Sequence, residues 1–208
     1  MSQLGRDPGP EWEEVLHFWL GELDPQGRAD PEHSGRWWRR DPAFDQLIRD
    51  RFGRLHAAVL AGERAGWLAS PRGRLATIIV LDQLARNMFR GSPAMHEGDA
   101  RAVAAAREGI DRGVDRELAH DERAFLYMPL MHSEELADQD RCVALMAAWR
   151  DELDGELREG VAKLLPFAEQ HRDLIRRFGR FPHRNTVLGR PSTPEEEAFL
   201  QGPRSSFY

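Results

Sequence analysis

Apolar residues recur at intervals of three and four along most of the chain, and this spacing constrains the fold more than any other feature. The segment PAFDQLIRDRFGRLHAAVL shows it clearly, with apolar side chains of one helical period at Phe44, Ile48, Phe52, Leu55 and Val59. Such spacing is typical of amphipathic helices, whereas half-buried strands alternate at every second residue. Because no convincing alternation of that kind is found, the sequence predicts an all-α protein.

Residues that begin and end helices divide this pattern into seven or eight predicted helices in antiparallel succession. The helices are expected over residues 11–23, 42–60, 70–89, 97–110, 121–128, 133–153 and 156–178, with a last helix from residue 194. Ser70 and Ser133 are predicted N-caps, and Thr193 opens a capping box. Gly179 suits the residue after a helix, and Pro129 is expected to end the helix before it.

The composition disfavours several classes of protein. The formal net charge of -6 disfavours broad binding to nucleic acids or membrane surfaces, since both are polyanions. Cys142 is the only cysteine, so neither an internal disulfide nor a thiolate metal cluster can form. We find no signal peptide and no apolar run of the roughly 18 residues that a spanning helix needs, so a cytoplasmic protein is expected. The length predicts a single helical domain over residues 1–208.

A polar stripe is predicted on the helix LATIIVLDQLARNMFRG. At 100° per residue, one face carries five polar side chains, namely those of Asp82, Gln83, Arg86, Asn87 and Arg90. The remaining faces are apolar, which predicts a buried helix. The stripe is therefore either a structural network with an Asp82–Arg86 pair, a solvent-facing surface, or the lining of a ligand site.

Cationic side chains are concentrated near the C-terminus. Residues 171–190 carry six arginines and one aspartate, so this segment has a charge of +5 and the rest of the chain -11. The arginines either neutralise the acidic helix at residues 134–159 or bind an anion, because guanidinium groups match carboxylates and phosphates. Phe181 and Pro182 can anchor the bend in the core. The side chains expected to project from it are those of Arg180, His183, Arg184 and Asn185.

Histidines and carboxylates occur near both of these segments. His132 precedes a helix with acids in its first turn, His171 lies within a later helix, and His183 lies in the bend. The acids at Glu134 and Glu135 can simply complement the helix dipole. A histidine beside a carboxylate can also be a hydrogen-bonded pair, an acid/base group or a metal ligand, although the spacing matches no compact metal motif. Cys142 is predicted to be a core thiol.

Four stretches, FWLGELDP, GWLASPRGRLATIIVLDQLARNMFRG, FLYMPLMHSEELADQ and HRDLIRRFGRFPHRNTVLGRPSTPEEEAFL, resemble the bacterial family called domain of unknown function 924. The resemblance extends over about residues 16–200. It implies an antiparallel helical array related in shape to tetratricopeptide-like superhelices, and it brings no established reaction or cofactor. The signature positions that it implies are Asp82, Gln83, Arg86, Asn87, His132, Ser133, Glu134, His171, Arg180, Phe181, Pro182, His183, Arg184 and Asn185.

These observations lead to two hypotheses about function. In the first, Arg86, His132, His171 and Arg184 converge on one pocket that binds a small carboxylate or phosphate. If the protein is an enzyme, His132 and His183 exchange protons, Glu134 orients an imidazole, and Arg180 and Arg184 hold the substrate. In the second, the helices form a scaffold that binds a protein partner through an exposed apolar groove.

Overall fold

The computed structural model describes residues 10–202, and helices dominate this part of the chain. The helices are α1 (Glu11–Leu20), α2 (Pro31–Ser34), α3 (Pro42–Ala61), α4 (Pro71–Ile78), α5 (Ala85–Met88), α6 (Asp99–Asp111), α7 (His120–His132), α8 (Leu136–Asp151), α9 (Gly155–Phe178) and α10 (Pro194–Leu200). A π-helical segment, Ile79–Leu84, joins α4 and α5 into one helical stretch. The described residues contain no strand beyond an isolated bridge between Leu23 and Ala29. The all-α prediction is confirmed, and the superhelical arrangement stays a prediction.

Most predicted helix boundaries agree with side-chain capping in the structure. Ser70 Oγ accepts a hydrogen bond from the Gly73 amide at the start of α4. Thr193 and Glu196 form the complete capping box at the start of α10. Gly179 ends α9 with a φ of 69°, in the left-handed region where glycine is favoured. Local capping chemistry therefore explains where these helices begin and end.

Three predicted boundaries are wrong. Pro129 lies inside α7, which continues to His132; the buried residues on both sides of it, from Leu126 to Met131, offset the cost of an interior proline by their packing. Ser133 does not cap α8, which begins three residues later; its hydroxyl instead accepts a hydrogen bond from the Glu135 amide. The first helix ends at Leu20, because Gly21 adopts a φ of 66°.

The described chain divides into two compact units. The first comprises residues up to 90 together with 94–126, and the second comprises residues 91–93 together with those from 127 onward. The prediction of one domain over residues 1–208 stays a prediction. No helix among residues 10–202 is both long enough and apolar enough to cross a membrane.

The first unit has a core of aromatic and aliphatic side chains. Phe18 of α1 stacks on Phe44 of α3 with ring centroids 5.7 Å apart, and it meets the edge of Phe52 at 4.8 Å. The helical stretch formed by α4, the π segment and α5 is buried on all sides, and every residue from 73 to 88 is buried. The predicted burial of this helix is confirmed, so its polar side chains need partners within the protein.

A buried arginine links α4 to α6 in the first unit. Arg74, only 1% exposed, donates hydrogen bonds to the carbonyls of Ala105 and Leu68, each at 2.9 Å. The same guanidinium donates to Glu108 at 3.0 Å. Gly109 makes room for it, since a Cβ at that position would lie 2.7 Å from Arg74 Cδ. The arginine therefore connects α4 to α6 and to the residues before α4 through backbone acceptors.

Replacing Arg74 with methionine is expected to lower the free energy of unfolding by about 3 kcal/mol, because two buried carbonyls lose their donor. Urea denaturation followed by circular dichroism measures the loss. Arg112 is the matched control, since it also pairs with Glu108 but is 56% exposed. Arg112→Met should remain close to the wild type, and equal losses in both variants would contradict this role for Arg74.

The second unit is built on the helical hairpin of α8 and α9. Cys142 and Met146 of α8 are buried, and Trp149 meets the edge of Tyr127 with centroids 6.1 Å apart. Cys142 is a core thiol, as predicted. At the end of α9, Leu174, Ile175 and Phe181 form a buried cluster against which Phe178 and Phe199 pack. This cluster fixes the bend that follows α9, which is where the sequence concentrates its arginines.

Candidate functional site

Backbone hydrogen bonds and a buried phenylalanine order the arginine-rich bend of the second unit. After Gly179, the side chain of Phe181 is completely buried, and Pro182–Arg184 form a single 3₁₀ turn. The Arg184 amide donates to the Phe181 carbonyl, and the Arg190 amide donates to the Asn185 carbonyl. The bend is therefore an ordered element, and its side chains have defined directions.

Most arginines of residues 171–190 contact carboxylates. The pairs are Arg172 and Arg176 with Asp140, Arg177 with Glu195, Arg180 with Glu196, and Arg190 with Glu134. Asp140 and Glu134 belong to the acidic segment 134–159, so neutralisation of that segment accounts for three of these arginines. The two acids at the start of α10 account for two more.

Glu134 braces the bend. Its carboxylate accepts two hydrogen bonds from Arg190, at 2.6 and 2.9 Å, and a third from the Phe181 amide at 2.8 Å. Burial works against ionisation of Glu134, but these bonds and the nearby charge of Arg184 outweigh it and lower the pKa. These contacts make Glu134 a structural brace. Its predicted role in orienting an imidazole stays a prediction.

A second network attaches α10 to the bend. Arg180 forms a two-pronged contact with Glu196 at 2.6 and 2.7 Å, and Asn185 donates to the same carboxylate at 3.3 Å. The hydrogen bonds from Arg180 are the main reason that the pKa of Glu196 falls to about 2. Arg180 and Asn185, both predicted ligand-binding residues, thus take part in attaching α10. Their predicted contact with an anion is untested by this geometry.

Two histidines and one arginine contact the ring of Phe181, and a third histidine lies beside them; we call this group the histidine cluster: His132, His171, His183 and Arg184. His171 meets the Phe181 ring edge-on at 5.5 Å between centroids, and His183 lies at the same centroid distance. The ring centroids of His132 and His171 are 6.3 Å apart. The Arg184 guanidinium lies over the Phe181 ring at 4.3 Å, and the residue is 6% exposed. The second unit therefore brings together four of the predicted site residues.

His171 is neutral within this cluster. Its Nδ1 lies 2.7 Å from the Phe167 carbonyl, which assigns the ring proton to Nδ1. The pKa of His171 is lowered to about 3, mainly because the ring is buried; the hydrogen bond to Phe167 raises the pKa, and the charges of His132, Arg184 and His183 lower it. The local potential around His171 is therefore positive, and the imidazole resists adding another charge.

This burial predicts an acid-sensitive contribution to stability. The folded pKa of His171 lies below the unfolded value near 6.5, so its contribution is complete above that pH and is lost as the pH falls. Between pH 7 and pH 5 the loss from this residue should be about 2 kcal/mol. The amide of His171→Asn can still donate to the Phe167 carbonyl. In chemical denaturation, the free energy of unfolding of this variant should therefore fall by about 2 kcal/mol less than that of the wild type between pH 7 and pH 5.

The exposed His17, with a side chain 65% accessible, provides the control for this titration. His17→Asn should keep the wild-type pH dependence between pH 7 and pH 5. An identical slope in the wild type and His171→Asn would mean that His171 protonates normally in the folded protein.

The polar stripe of the first unit forms two networks. In one, Arg86 pairs with Asp82 at 2.9 Å, as the structural interpretation predicted, and with Asp99 of α6 at 3.0 Å. Gln83 donates to Asp82 at 2.6 Å. His96 extends this network, with its Nδ1 2.9 Å from Asp99. The π segment contains both Asp82 and Gln83, and such segments frequently occur at functional sites.

The other network connects the stripe to α3. Asn87 donates to Asp45 at 2.7 Å, and Arg90 contacts both oxygens of the same carboxylate at 2.9 and 3.1 Å. Burial works against ionisation of Asp45, but the bonds from Arg90 and Asn87 outweigh it and lower its pKa. Sequence reasoning missed Asp45, Asp99 and His96. Only the i,i+3 spacing of His96 and Asp99 carried a local signal of their pairing.

Arg86 belongs to the first unit, and the histidine cluster belongs to the second. The prediction that Arg86 shares a pocket with His132, His171 and Arg184 therefore stays a prediction. Among residues 10–202, no group of three or more histidine, cysteine, aspartate or glutamate side chains is arranged to hold a metal ion. The functional groups that the cluster itself presents are three imidazoles and one guanidinium.

Comparison with known proteins places this arrangement in a family. Residues 15–204 match the family described as bacterial protein of unknown function (DUF924). The chain belongs to the DUF924 family. Its fold is similar to a solved protein of unknown function from Agrobacterium tumefaciens, ATU0120, with a TM-score of 0.75 and 37% sequence identity. That similarity covers 91% of this chain and 96% of the other. A search of curated proteins found no match.

The match includes both the stripe and the histidine cluster of this DUF924 protein. The resemblance seen in the sequence motifs is therefore confirmed at the level of the family. Since neither the family nor the solved relative has an established reaction, the function must be argued from the side chains themselves.

Proposed function

We propose that this DUF924 protein binds a small anionic molecule, a carboxylate or a phosphate, at the histidine cluster of the second unit. The observation that carries the proposal is the position of Arg184, which is 6% exposed and lies over the ring of Phe181, the same ring that His171 and His183 contact. A buried guanidinium keeps its charge, and charge interacts more strongly where water is excluded. A ligand anion would therefore be attracted to the charge of Arg184.

Burial distinguishes Arg184 from the other arginines of the bend. Arg177 and Arg180 are engaged by the acids of α10, and Arg190 is engaged by Glu134. Their side chains are 54%, 27% and 24% exposed, whereas Arg184 is only 6% exposed and its guanidinium lies over the Phe181 ring. Burial is the main cause of the low pKa of His171, and the charge of Arg184 adds to it; that same charge favours an anion near this imidazole.

In the enzymatic form of this proposal, His132 and His183 exchange protons with a substrate whose anionic group Arg184 holds. Imidazole is suited to this role at neutral pH. The single thiol is a poor nucleophile, because burial raises the pKa of Cys142 to about 12. The proposed chemistry is therefore proton transfer without a covalent intermediate, as in a lyase, an isomerase or a hydrolase that activates water.

A thermal-shift screen of metabolites tests the proposal. Each carboxylate or phosphate is paired with a neutral analogue of the same carbon skeleton, such as the amide or the alcohol. The proposal predicts that stabilisation is confined to anions and increases with concentration, because a ligand stabilises the state that binds it. Equal stabilisation by neutral or cationic analogues would reject an anion site.

A further inference from the structure

A completely buried glutamine of the second unit faces the end of α7. Gln139, 0% exposed, lies in the first turn of α8. Its side-chain Nε2 donates hydrogen bonds to the carbonyls of Met131 and Ser133, at 2.6 and 2.7 Å. Two carbonyl acceptors fix the orientation of this amide, because only the NH₂ end of a glutamine side chain can donate. Gln139 therefore holds two backbone groups with one side-chain nitrogen.

The two carbonyls lie on either side of His132 in the chain. His132 is the last residue of α7, and the carbonyls in the last turn of a helix have no donor within that helix. Gln139 supplies a donor to the residue before His132 and to the residue after it. The path of the backbone through His132, and with it the direction of the imidazole, is therefore set partly by α8.

Gln139 is itself held in place by the packing of α8 on α7. Cys142 and Met146 lie on the same face of α8, and both are buried. Cys142 Sγ lies 3.8 Å from the Tyr127 carbonyl of α7 and 3.9 Å from Met146 Sδ. A functional side chain has a precise position when the residues that support it are locked by packing. Gln139 meets this requirement.

Glu134 connects the same segment to the arginine-rich bend. Its carboxylate accepts a hydrogen bond from the Phe181 amide at 2.8 Å, and the ring of Phe181 is the one over which Arg184 lies. Gln139 thus attaches residues 131–134 to α8, and Glu134 attaches them to the bend. The backbone of His132 lies within this doubly attached segment, so its position relative to the rest of the histidine cluster is defined.

We propose that Gln139 is a positioning residue for His132, which it holds at the histidine cluster in the orientation that proton exchange with a bound anion requires. This inference rests on the function proposed above, and it assigns to Gln139 no contact with the ligand. A glutamine that only capped α7 would contribute to stability alone. Removal of a positioning residue also changes the environment of the imidazole that it orients, so direct observation of His132 separates the two roles.

Imidazole ¹⁵N–¹H spectra of the full chain test this role in the wild type, Gln139→Met and Met146→Ala. Methionine is similar in volume to glutamine but donates no hydrogen bond, so both carbonyls lose their donor. Met146→Ala is the matched control, because it creates a cavity on the same face of α8 and removes neither hydrogen bond. Both variants should lose stability, but only Gln139→Met is expected to shift the His132 resonances. The exposed His17 should be unchanged in all three proteins.

Titration with inorganic phosphate separates this inference from the proposed function. In the wild type and Met146→Ala, phosphate should produce the same saturable shifts of the cluster histidines. Gln139→Met should bind it about fivefold more weakly, the equivalent of one lost hydrogen bond. If phosphate shifts no histidine of the wild type, the proposed function fails for this anion, and the spectra of the free proteins still decide the role of Gln139.

Two results in the free proteins would overturn the inference. The His132 resonances of Gln139→Met could coincide with those of the wild type, or Met146→Ala could shift them equally. If Gln139→Met fails to fold, Gln139→Glu takes its place, since glutamate keeps the shape and even its protonated form donates to only one of the two carbonyls. This variant should also shift the His132 resonances, and the same two results would count against it.

Discussion

Glu196→Gln is expected to lose about 3 kcal/mol of unfolding free energy, a large effect for a single substitution. Glu196 is 2% exposed and accepts hydrogen bonds from Arg180, Asn185 and the Thr193 amide. A glutamine removes the charge and directs an amide group toward donors that need an acceptor. The capping box, the attachment of α10 and the bend all depend on this carboxylate, so chemical denaturation should show the loss directly.

The adjacent residue provides the control for this variant. Glu195 lies in the same turn of α10 and pairs with Arg177, but its side chain is 62% exposed. Glu195→Gln should therefore remain close to the wild type in denaturation. Similar losses in the two variants would mean that the acids of α10 act through their position at the helix N-terminus rather than through the network around Glu196.

Arg184→Gln is expected to weaken binding of an anionic ligand by about 100-fold, the second large effect. The guanidinium supplies both the charge and the two-pronged geometry that a carboxylate or phosphate requires. A glutamine keeps polar character at the position but provides neither, so a loss of about 2–3 kcal/mol in binding free energy follows. Isothermal titration calorimetry with the tightest anion from the screen measures it.

Two further variants separate the charge of Arg184 from its structural contribution. Arg177→Gln removes an arginine of the same bend that is 54% exposed and paired with Glu195, and it should bind the anion normally. Arg184→Lys keeps the charge without the planar fork and should fall between the wild type and Arg184→Gln. If Arg177→Gln loses as much affinity as Arg184→Gln, binding reflects the general charge of the bend.

Local chemistry explains which parts of the fold were predictable from sequence. Ser70, Thr193 and Gly179 act within one helical turn, so their capping roles can be seen in the sequence itself. Pro129 failed as a stop signal because a helix can tolerate one missing amide where the surrounding packing holds it. The cap expected at Ser133 failed because the chain needs three more residues to turn before α8 begins.

The site was harder to predict, because its contacts cross long stretches of sequence. The arginine-rich bend and the histidines stood out by composition, but nothing in the order of residues distinguishes Arg184 from Arg180. Their difference arises from the acids of α10, which engage Arg180, and from the ring of Phe181, which lies under Arg184. Asp45 accepts hydrogen bonds from Asn87 and Arg90 of the stripe, which lie 42 and 45 positions later in the sequence. Helical spacing cannot reveal contacts over such a separation.

Histidine side-chain NMR tests the central claim, anion binding at the histidine cluster, most directly. Imidazole ¹⁵N–¹H correlation spectra are recorded while the tightest anion from the screen is titrated into the wild type and Arg184→Gln. We predict saturable shifts of the His132, His171 and His183 resonances in the wild type, strongly weakened in the variant, with His171 protonated at Nδ1 throughout. Saturable shifts confined to histidines outside the cluster, such as His17 and His33, or equal shifts in both proteins, would contradict the account.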